Sequence, residues 1–201
     1  FKHLYTPSNK EAQVVDVPEL NFIMIDGAIE PGKAPGTSQS FEKATGALYG
    51  AAYTLKFMSK LRKDNPVDYG VMALEGLWWI ETGEFDLTTK DNWLWRLMIM
   101  QPAHITVEMY LAAIHELEHK KPDPANVRLR FAAFREGLCV QMMHSGPYDR
   151  EPETKDKMMA FARDHGYVVN GKHHEIYMGN PLRTSPEKLK TILRYPVQKA
   201  A

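Results

Sequence analysis

The chain has little cysteine, no surplus of either charge and no long apolar run, and each shortage excludes something. One cysteine among 201 residues, Cys139, rules out an internal disulfide framework and fits a reducing cytoplasm. It lies in the apolar run Leu138-Cys139-Val140 with no basic neighbour in sequence, so it reads as a core residue rather than a nucleophile. Lys plus Arg and Asp plus Glu both number 25, and no basic patch with interleaved aromatics occurs, which argues against nucleic acid as a partner. No stretch approaches the roughly 20 apolar residues of a membrane span, and the opening FKHLYTPSNKE lacks the layout of a signal peptide. At 44% hydrophobic and 25% charged, the chain reads as one globular domain over residues 1–201, cytoplasmic and without a membrane partner. Its oligomeric state is not legible.

What is there falls into two halves of similar organisation. Val14 to Ile29 reads as strand interrupted at Pro18-Glu19, and a Gly/Pro/Ser-rich loop follows to Gln39. From Ser40, a candidate N-cap, Phe41, Ala44, Leu48, Ala52 and Leu55 recur at helical spacing until Asn65-Pro66 ends the run. Strands are expected over Tyr69 to Ile80 and Trp93 to Gln101, with the acidic loop Glu81 to Asn92 between them. A connecting helix covers about 106–119, with Val107, Tyr110, Leu111, Ile114 and Leu117 on one stripe. The pattern then restarts: Val127 to Met143 is strand-like with a hairpin turn expected at Glu136-Gly137. A helix follows from Glu151 to His165, then strands at His173 to Met178 and Lys190 to Tyr195. RLMIMQP (Arg96 to Pro102) parallels KTILRYP (Lys190 to Pro196). These patterns predict an α+β fold: duplicated β-α-β-β modules, about 14–102 and 127–197, forming one concave antiparallel sheet with helices on one face and a ligand cleft on the other.

Two strand segments carry the candidate chemistry. In HHEIYM, alternation puts Glu175 and Tyr177 on one face and His174, Ile176 and Met178 on the other. A helix packed on the Ile176/Met178 face would leave the carboxylate and the phenol looking into the open groove. In LEGLWW, Glu75, Leu77 and Trp79 share a face, as do Leu74, Gly76 and Trp78, and Trp93 and Trp95 share a face of the next strand. All four tryptophans thus fall in one hairpin.

The order LEGLWW, MIMQP with a following Ile-Thr, HSGPYDRE (His144 to Glu151) and HHEIYMGNPLRTSPEKLKTILRYPV (His173 to Val197) resembles the GyrI-like small-molecule-binding proteins, relatives of the effector-binding domains of multidrug-sensing bacterial transcription regulators. The resemblance implies a concave sheet with a central glutamate among aromatic residues, at the position of Glu175. Some stand-alone members are hydrolases of cyclopropane-bearing DNA-alkylating natural products that use an aromatic cage, so it further implies a detoxifying hydrolase. The same cleft equally serves a non-catalytic binder of flat or cationic aromatic compounds. A carboxylate among rings can hold a cation, or with a raised pKa activate water. The candidate catalytic residues are Glu175, Tyr148 and Tyr177; the candidate ligand-binding residues are Trp78, Trp79, Trp93, Trp95 and Glu75. The expected partner is a small aromatic or cationic ligand.

One motif points elsewhere. His115-Glu116-Leu117-Glu118-His119 satisfies H-E-x-x-H, a zinc-protease signature. Leu117 lies on the apolar stripe, Lys120-Lys121 follow, and no third ligand is clearly supplied downstream. Ser185-Pro186-Glu187-Lys188 formally contains S-x-x-K but reads as a capped turn with Pro at its first position. Neither metal nor cofactor is expected. The His115→Ala/His119→Ala variant should therefore keep the wild-type activity and ligand affinity; stoichiometric zinc lost together with activity in that variant would contradict this.

Overall fold

In the computed structural model, which describes residues 1–83, 85–88 and 92–200, the elements run β1 (Gln13–Ala28), α1 (Gln39–Lys60), β2 (Leu74–Trp79), β3 (Leu94–Gln101), α2 (Val107–Lys120), β4 (Arg130–Ser145), α3 (Glu151–Asp164), β5 (Tyr167–Val169), β6 (His173–Tyr177) and β7 (Lys190–Lys199). Residues 84 and 89–91 of the expected acidic loop, and residue 201, lie outside the described residues. Pro18 does not break β1: the strand runs through it, and the pairing of Val17 with Gly137 resumes at Glu19 with Arg135. The expected hairpin at Glu136-Gly137 is likewise absent. Gly137 takes φ of 77°, a conformation glycine adopts without Cβ strain, and β4 continues through it as one strand. Helix α1 is capped two residues earlier than expected, because the Ser38 side chain accepts from the backbone N–H of Phe41, while Ser40 donates to the Ala28 carbonyl instead.

The sheet differs from an open concave one in a decisive way. All its pairs are antiparallel, in the order β4-β1-β3-β2-β6-β7, and β4 also pairs with β7, so six strands close into a ring with β5 added outside β7. Closure removes the free edges and gives the sheet an inside and an outside. Outside, the small face of α1 (Ala44, Ala47, Ala51, Ala52 with Leu48 and Leu55) and the stripe of α2 (Tyr110, Ala113, Leu117) pack on Ile23, Ile25, Leu97 and Ile99. Helix α3 packs through Met158 and Ala162 on Val140, Met142, Leu193, Tyr195 and Val197. Inside, Phe22, Met24, Leu77 and Met98 form a strand-only cluster bordered by Trp79 and Phe134.

The ring interior also holds buried charge. His174 Nδ1 donates to Glu136 Oε1 at 2.9 Å, and His174 Nε2 lies 3.1 Å from Glu75 Oε2. Arg194 Nη1 donates to Glu136 Oε2 at 3.2 Å, and its other nitrogens donate to Gln141 Oε1 and the Leu4 carbonyl. Tyr5 closes the set by donating to Glu75 Oε1 at 2.8 Å. Two carboxylates thus face two cations. Burial opposes charge on His174, but Glu136 and Glu75 outweigh it and push the imidazole up to about 9. Burial also opposes ionisation of Glu136, yet His174 and Arg194 hold its carboxyl below the usual range.

These shifts make stability depend on pH. The His174 value lies above its unfolded value of about 6.5, so its contribution is complete below that pH and is lost as pH rises through about 9. Glu136 works oppositely: its contribution is present above its unfolded value of about 4.3 and is lost as pH falls through the folded value. Urea unfolding should show stability declining on both sides, and Arg194→Met should cost about 3 to 5 kcal/mol by leaving a buried carboxylate underpaired. A stability that stays flat from about pH 6.5 to 9 would contradict the charged state of His174.

Candidate functional site

Strand pairing sets which side chains meet. Across the β2–β6 ladder Leu74 faces Tyr177, Gly76 faces Glu175 and Trp78 faces His173. Opposed residues share a face, and Trp78 belongs to the cluster packed against α1, so this is the outer, helix-bearing face of the ring. The expected orientation is therefore reversed. Ile176 is fully buried and shares a face with His174 of the ring interior, while Glu175 and Tyr177 lie on the helix side.

The candidate residues divide accordingly. Glu75 and Trp79 lie on the inner face, away from Glu175: Glu75 is engaged by Tyr5 and His174, and Trp79 borders the inner cluster with Lys172 Nζ 3.3 Å from its ring centroid. Trp95 is on the outer face but packs at 83° to Phe41, and a Cβ added to Gly27 would lie 2.2 Å from its ring. Trp78 and Trp93 are beside the carboxylate strand. Rings follow one another at contact distance: Phe41 stacks on Trp78 at 5.7 Å, Trp78 meets Trp93 at 5.3 Å, Trp93 meets Phe85 at 4.8 Å, and Phe85 stacks on His173 at 5.6 Å. Tyr195 closes the row 4.9 Å beyond His173.

Tyr148 enters from the turn Tyr148–Arg150 that precedes α3 and meets the Tyr177 ring edge-on at 6.2 Å. His144 of the HSGPY segment holds that turn. Its Nε2 lies 3.0 Å from the Pro147 carbonyl, which can only accept, so its Nδ1, 2.8 Å from Thr154 Oγ1, is the acceptor when the ring is neutral. Both Tyr148 and Tyr177 are partly exposed, whereas Glu175 is only 5% exposed.

Around Glu175 three groups converge. His173 Nε2 donates to Oε1 at 2.8 Å, and Tyr177 and Glu151 are its further hydrogen-bond partners. Tyr177 in turn accepts from Trp78 Nε1 at 3.1 Å. Burial opposes ionisation of Glu175, but the hydrogen bond and charge of His173, then Tyr177 and Glu151, hold the carboxyl below its ordinary range. It is therefore an anion at neutral pH, not the raised-pKa acid that the sequence also allowed. The tyrosines stay protonated: burial, then Glu175 and Glu151, push Tyr148 up to about 12, and burial with Glu175 raises Tyr177 well above its ordinary value. Gly76 makes the close approach possible, because a Cβ there would lie 2.9 Å from Trp78 Nε1 and 3.2 Å from the Tyr177 hydroxyl.

Reasoning from the sequence missed Glu151, His173, Phe41, Phe85 and Tyr195. His173 was within reach, since period two places it on the Glu175 face; the others arrive from α1, α3, β7 and a loop. One potential ligand atom each from Glu151, His173 and Glu175 lies within 4.8 Å of the others, so this trio could coordinate a cation. His115 and His119 are exposed on α2, with Glu116 paired to Lys120.

The model of the GyrI-like small molecule binding domain matches residues 10–198. An uncharacterized conserved protein from Listeria innocua is 41% identical, with a TM-score of 0.88 over 98% of this chain and 96% of its own. A hydrolase from Listeria innocua is 38% identical, with a TM-score of 0.83 over the same shares. The C-terminal domain of EcmrR, at 13% identity and a TM-score of 0.55 over 94% of this chain and 98% of its own, shares the fold. No curated protein sequence matches the chain.

Gly76→Ala should push the Trp78 indole from Tyr177 at a stability cost of about 1 to 3 kcal/mol, changing tryptophan fluorescence and weakening binding of a flat aromatic dye. Trp79→Leu should leave that binding unchanged. Equal loss in both variants would contradict the division of the tryptophans between the two faces.

Proposed function

Because the chain belongs to the GyrI-like small-molecule-binding family, we propose that it binds flat aromatic compounds at the Glu175 seam and hydrolyses those carrying a strained cyclopropane, a detoxifying reaction. The observation that carries this reading is an ionised, buried carboxylate at the end of an unbroken row of aromatic rings. Its similarity to a protein described as a hydrolase supports the catalytic version. The two β-α-β-β halves of the chain read as copies of one module, with the seam between their helices.

For a cyclopropane fused to a dienone the chemistry balances as follows. Water oxygen bonds to a cyclopropane carbon, the ring C–C bond breaks, and its electron pair passes through the dienone to the carbonyl oxygen, giving a phenolate. Glu175 orients the water and accepts its proton. The phenolate needs a donor, and Tyr148 supplies it: its hydroxyl is protonated and partly exposed, whereas Tyr177 is engaged with Trp78 and Glu175. The rings contribute the flat contact surface.

A second reading, capture of a cationic aromatic compound without reaction, is favoured by the same anion, with each well-placed ring adding roughly 0.5 to 2 kcal/mol. Glu175→Gln separates the two. It removes a charge from a nearly isosteric side chain, so the fold should persist. In a hydrolase, turnover of a neutral spirocyclopropyl dienone should drop about 10²- to 10⁴-fold with little change in its affinity. In a cation binder, affinity for the flat cationic dye proflavine should fall and that for neutral ligands should not. A folded variant that matches wild type in both measurements would remove Glu175 from the function.

A further inference from the structure

The inner face of the ring carries a second charged cluster, at the end where β1 finishes and β4 begins. Asp26 lies opposite Arg96 in the β1–β3 ladder, and Arg130 lies opposite Met24 in the β1–β4 ladder. Alternation puts Asp26 on the face of Met24, Arg96 on that of Met98 and Trp79 on that of Leu77, and these three apolar residues all belong to the inner cluster. Lys172 shares the face of His174 and follows outward from the Trp78–His173 pair, so it meets Trp79, with Nζ 3.3 Å from the ring centroid. Arg96 donates to Asp26 from Nε at 2.7 Å and from Nη2 at 3.1 Å, and Arg130 Nη2 lies 2.9 Å from both carboxylate oxygens. Arg128 Nη2 donates to the Asp26 carbonyl at 2.6 Å. Among the described residues, no other carboxylate pairs with any of these cations. Four positive charges thus meet one negative charge, in a chain whose formal net charge is zero.

We propose that this end of the ring is an anion site that takes a phosphate group, held by Arg96, Arg130 and Lys172 on the face of β2 and β6 opposite to Glu175. Asp26 organises it in advance. By fixing both guanidinium groups it removes part of the ordering cost that a ligand would otherwise meet. Their side chains remain 28% and 38% exposed, so they are held in place yet open to solvent. Arg96 Nη1 and Arg130 Nε and Nη1 donate to none of the described residues, and the Lys172 ammonium has the Trp79 ring as its contact. Burial and the Arg96 charge both disfavour that ammonium, while Asp26 favours it. An added anion relieves the repulsion. A carboxylate would offset one of the surplus charges, whereas a phosphate monoester brings about two at neutral pH, with three oxygens for guanidinium and ammonium donors. Trp79, partly exposed beside Lys172, offers a ring to an aromatic ester.

Isothermal titration calorimetry in a phosphate-free buffer tests the site with inorganic phosphate and with phenyl phosphate. Each should bind once per chain, and more weakly as sodium chloride is raised. Tighter binding of phenyl phosphate, with a fluorescence change that disappears in Trp79→Phe, assigns the site to an aromatic phosphomonoester; equal binding of the two assigns it to phosphate alone. Lys172→Met should weaken both about 10-fold, the lower end of the range for a hydrogen bond to a charged group, and should leave proflavine affinity unchanged. Asp26→Asn should act in the opposite direction, because it removes the competing negative charge and frees guanidinium donors for the ligand. That opposite sign separates an anion site from a purely structural ion pair, whose loss would weaken binding. The proposal is overturned if neither compound binds at millimolar concentration, if Lys172→Met, folded by circular dichroism, binds phosphate as wild type does, or if folded Asp26→Asn binds it more weakly. Should Asp26→Asn fail to fold, Lys172→Glu replaces it, and phosphate binding that survives this charge reversal overturns the proposal. Equal loss of phosphate and proflavine binding in Lys172→Met would overturn the assignment to a separate site.

Discussion

The β2–β6 ladder is the constraint on which both the fold and the site depend. Five residue pairs, from Leu74 with Tyr177 to Trp78 with His173, join the two halves of the chain a hundred residues apart. The β1–β4 ladder joins the same halves on the opposite side of the ring, so with both in place the sheet has no free lateral edge at its centre. The same ladder sets Gly76 against Glu175, and the missing Cβ lets Trp78 and Tyr177 close over the carboxylate strand. The same ladder therefore both closes the ring and gathers the residues around Glu175.

Closure imposes an electrostatic problem and the interior solves it by pairing. Sealed charges lose hydration worth several kcal/mol each, yet the side chains of Glu75, Glu136, His174 and Arg194 are all almost fully buried. They balance two against two, and Tyr5, Gln141 and the Leu4 carbonyl satisfy further lone pairs and protons. Such a network is a weak source of net stability, because apolar side chains would fill the space as well. Its effect is geometric. It ties the first residues of the chain to β4, β6 and β7, and alternation then sends His173 and Glu175, on either side of His174, to the outer face.

On that outer face the balance is deliberately uneven. Glu175 accepts from His173 Nε2, and His173, Tyr177 and Glu151 hold its carboxyl below the ordinary range against burial, so it stays charged at neutral pH beside apolar rings that offer it no solvation. An anion held in this way can take a cation or a polarised water, and the Tyr148 phenol, protonated at neutral pH, meets the Tyr177 ring beside it. Similar interior and exterior clusters, built from the same residue types, thus differ in balance: two cations match two carboxylates inside the ring, whereas outside it Glu175 and Glu151 share the single His173.

Much of this was written locally. Helical spacing placed α1, α2 and α3, and alternation separated Glu175 and Tyr177 from Ile176 and Trp78 from Trp79, because those periods depend only on backbone geometry. The two spurious interruptions, at Pro18 and at Glu136-Gly137, arose where local turn signals competed with a long ladder that holds both strands extended. Which face of β6 meets the helices was not local. Apolar Ile176 argued for the helix side, but in a closed ring the inner face is also buried, so hydrophobicity no longer tells inside from outside. For the same reason Glu75, equivalent to Glu175 by pattern, became half of a silent ion pair. Sequence determined which residues share a face; only the tertiary closure decided which face met the helices, and it brought Glu151 and the ring row to Glu175 through contacts that no periodicity encodes.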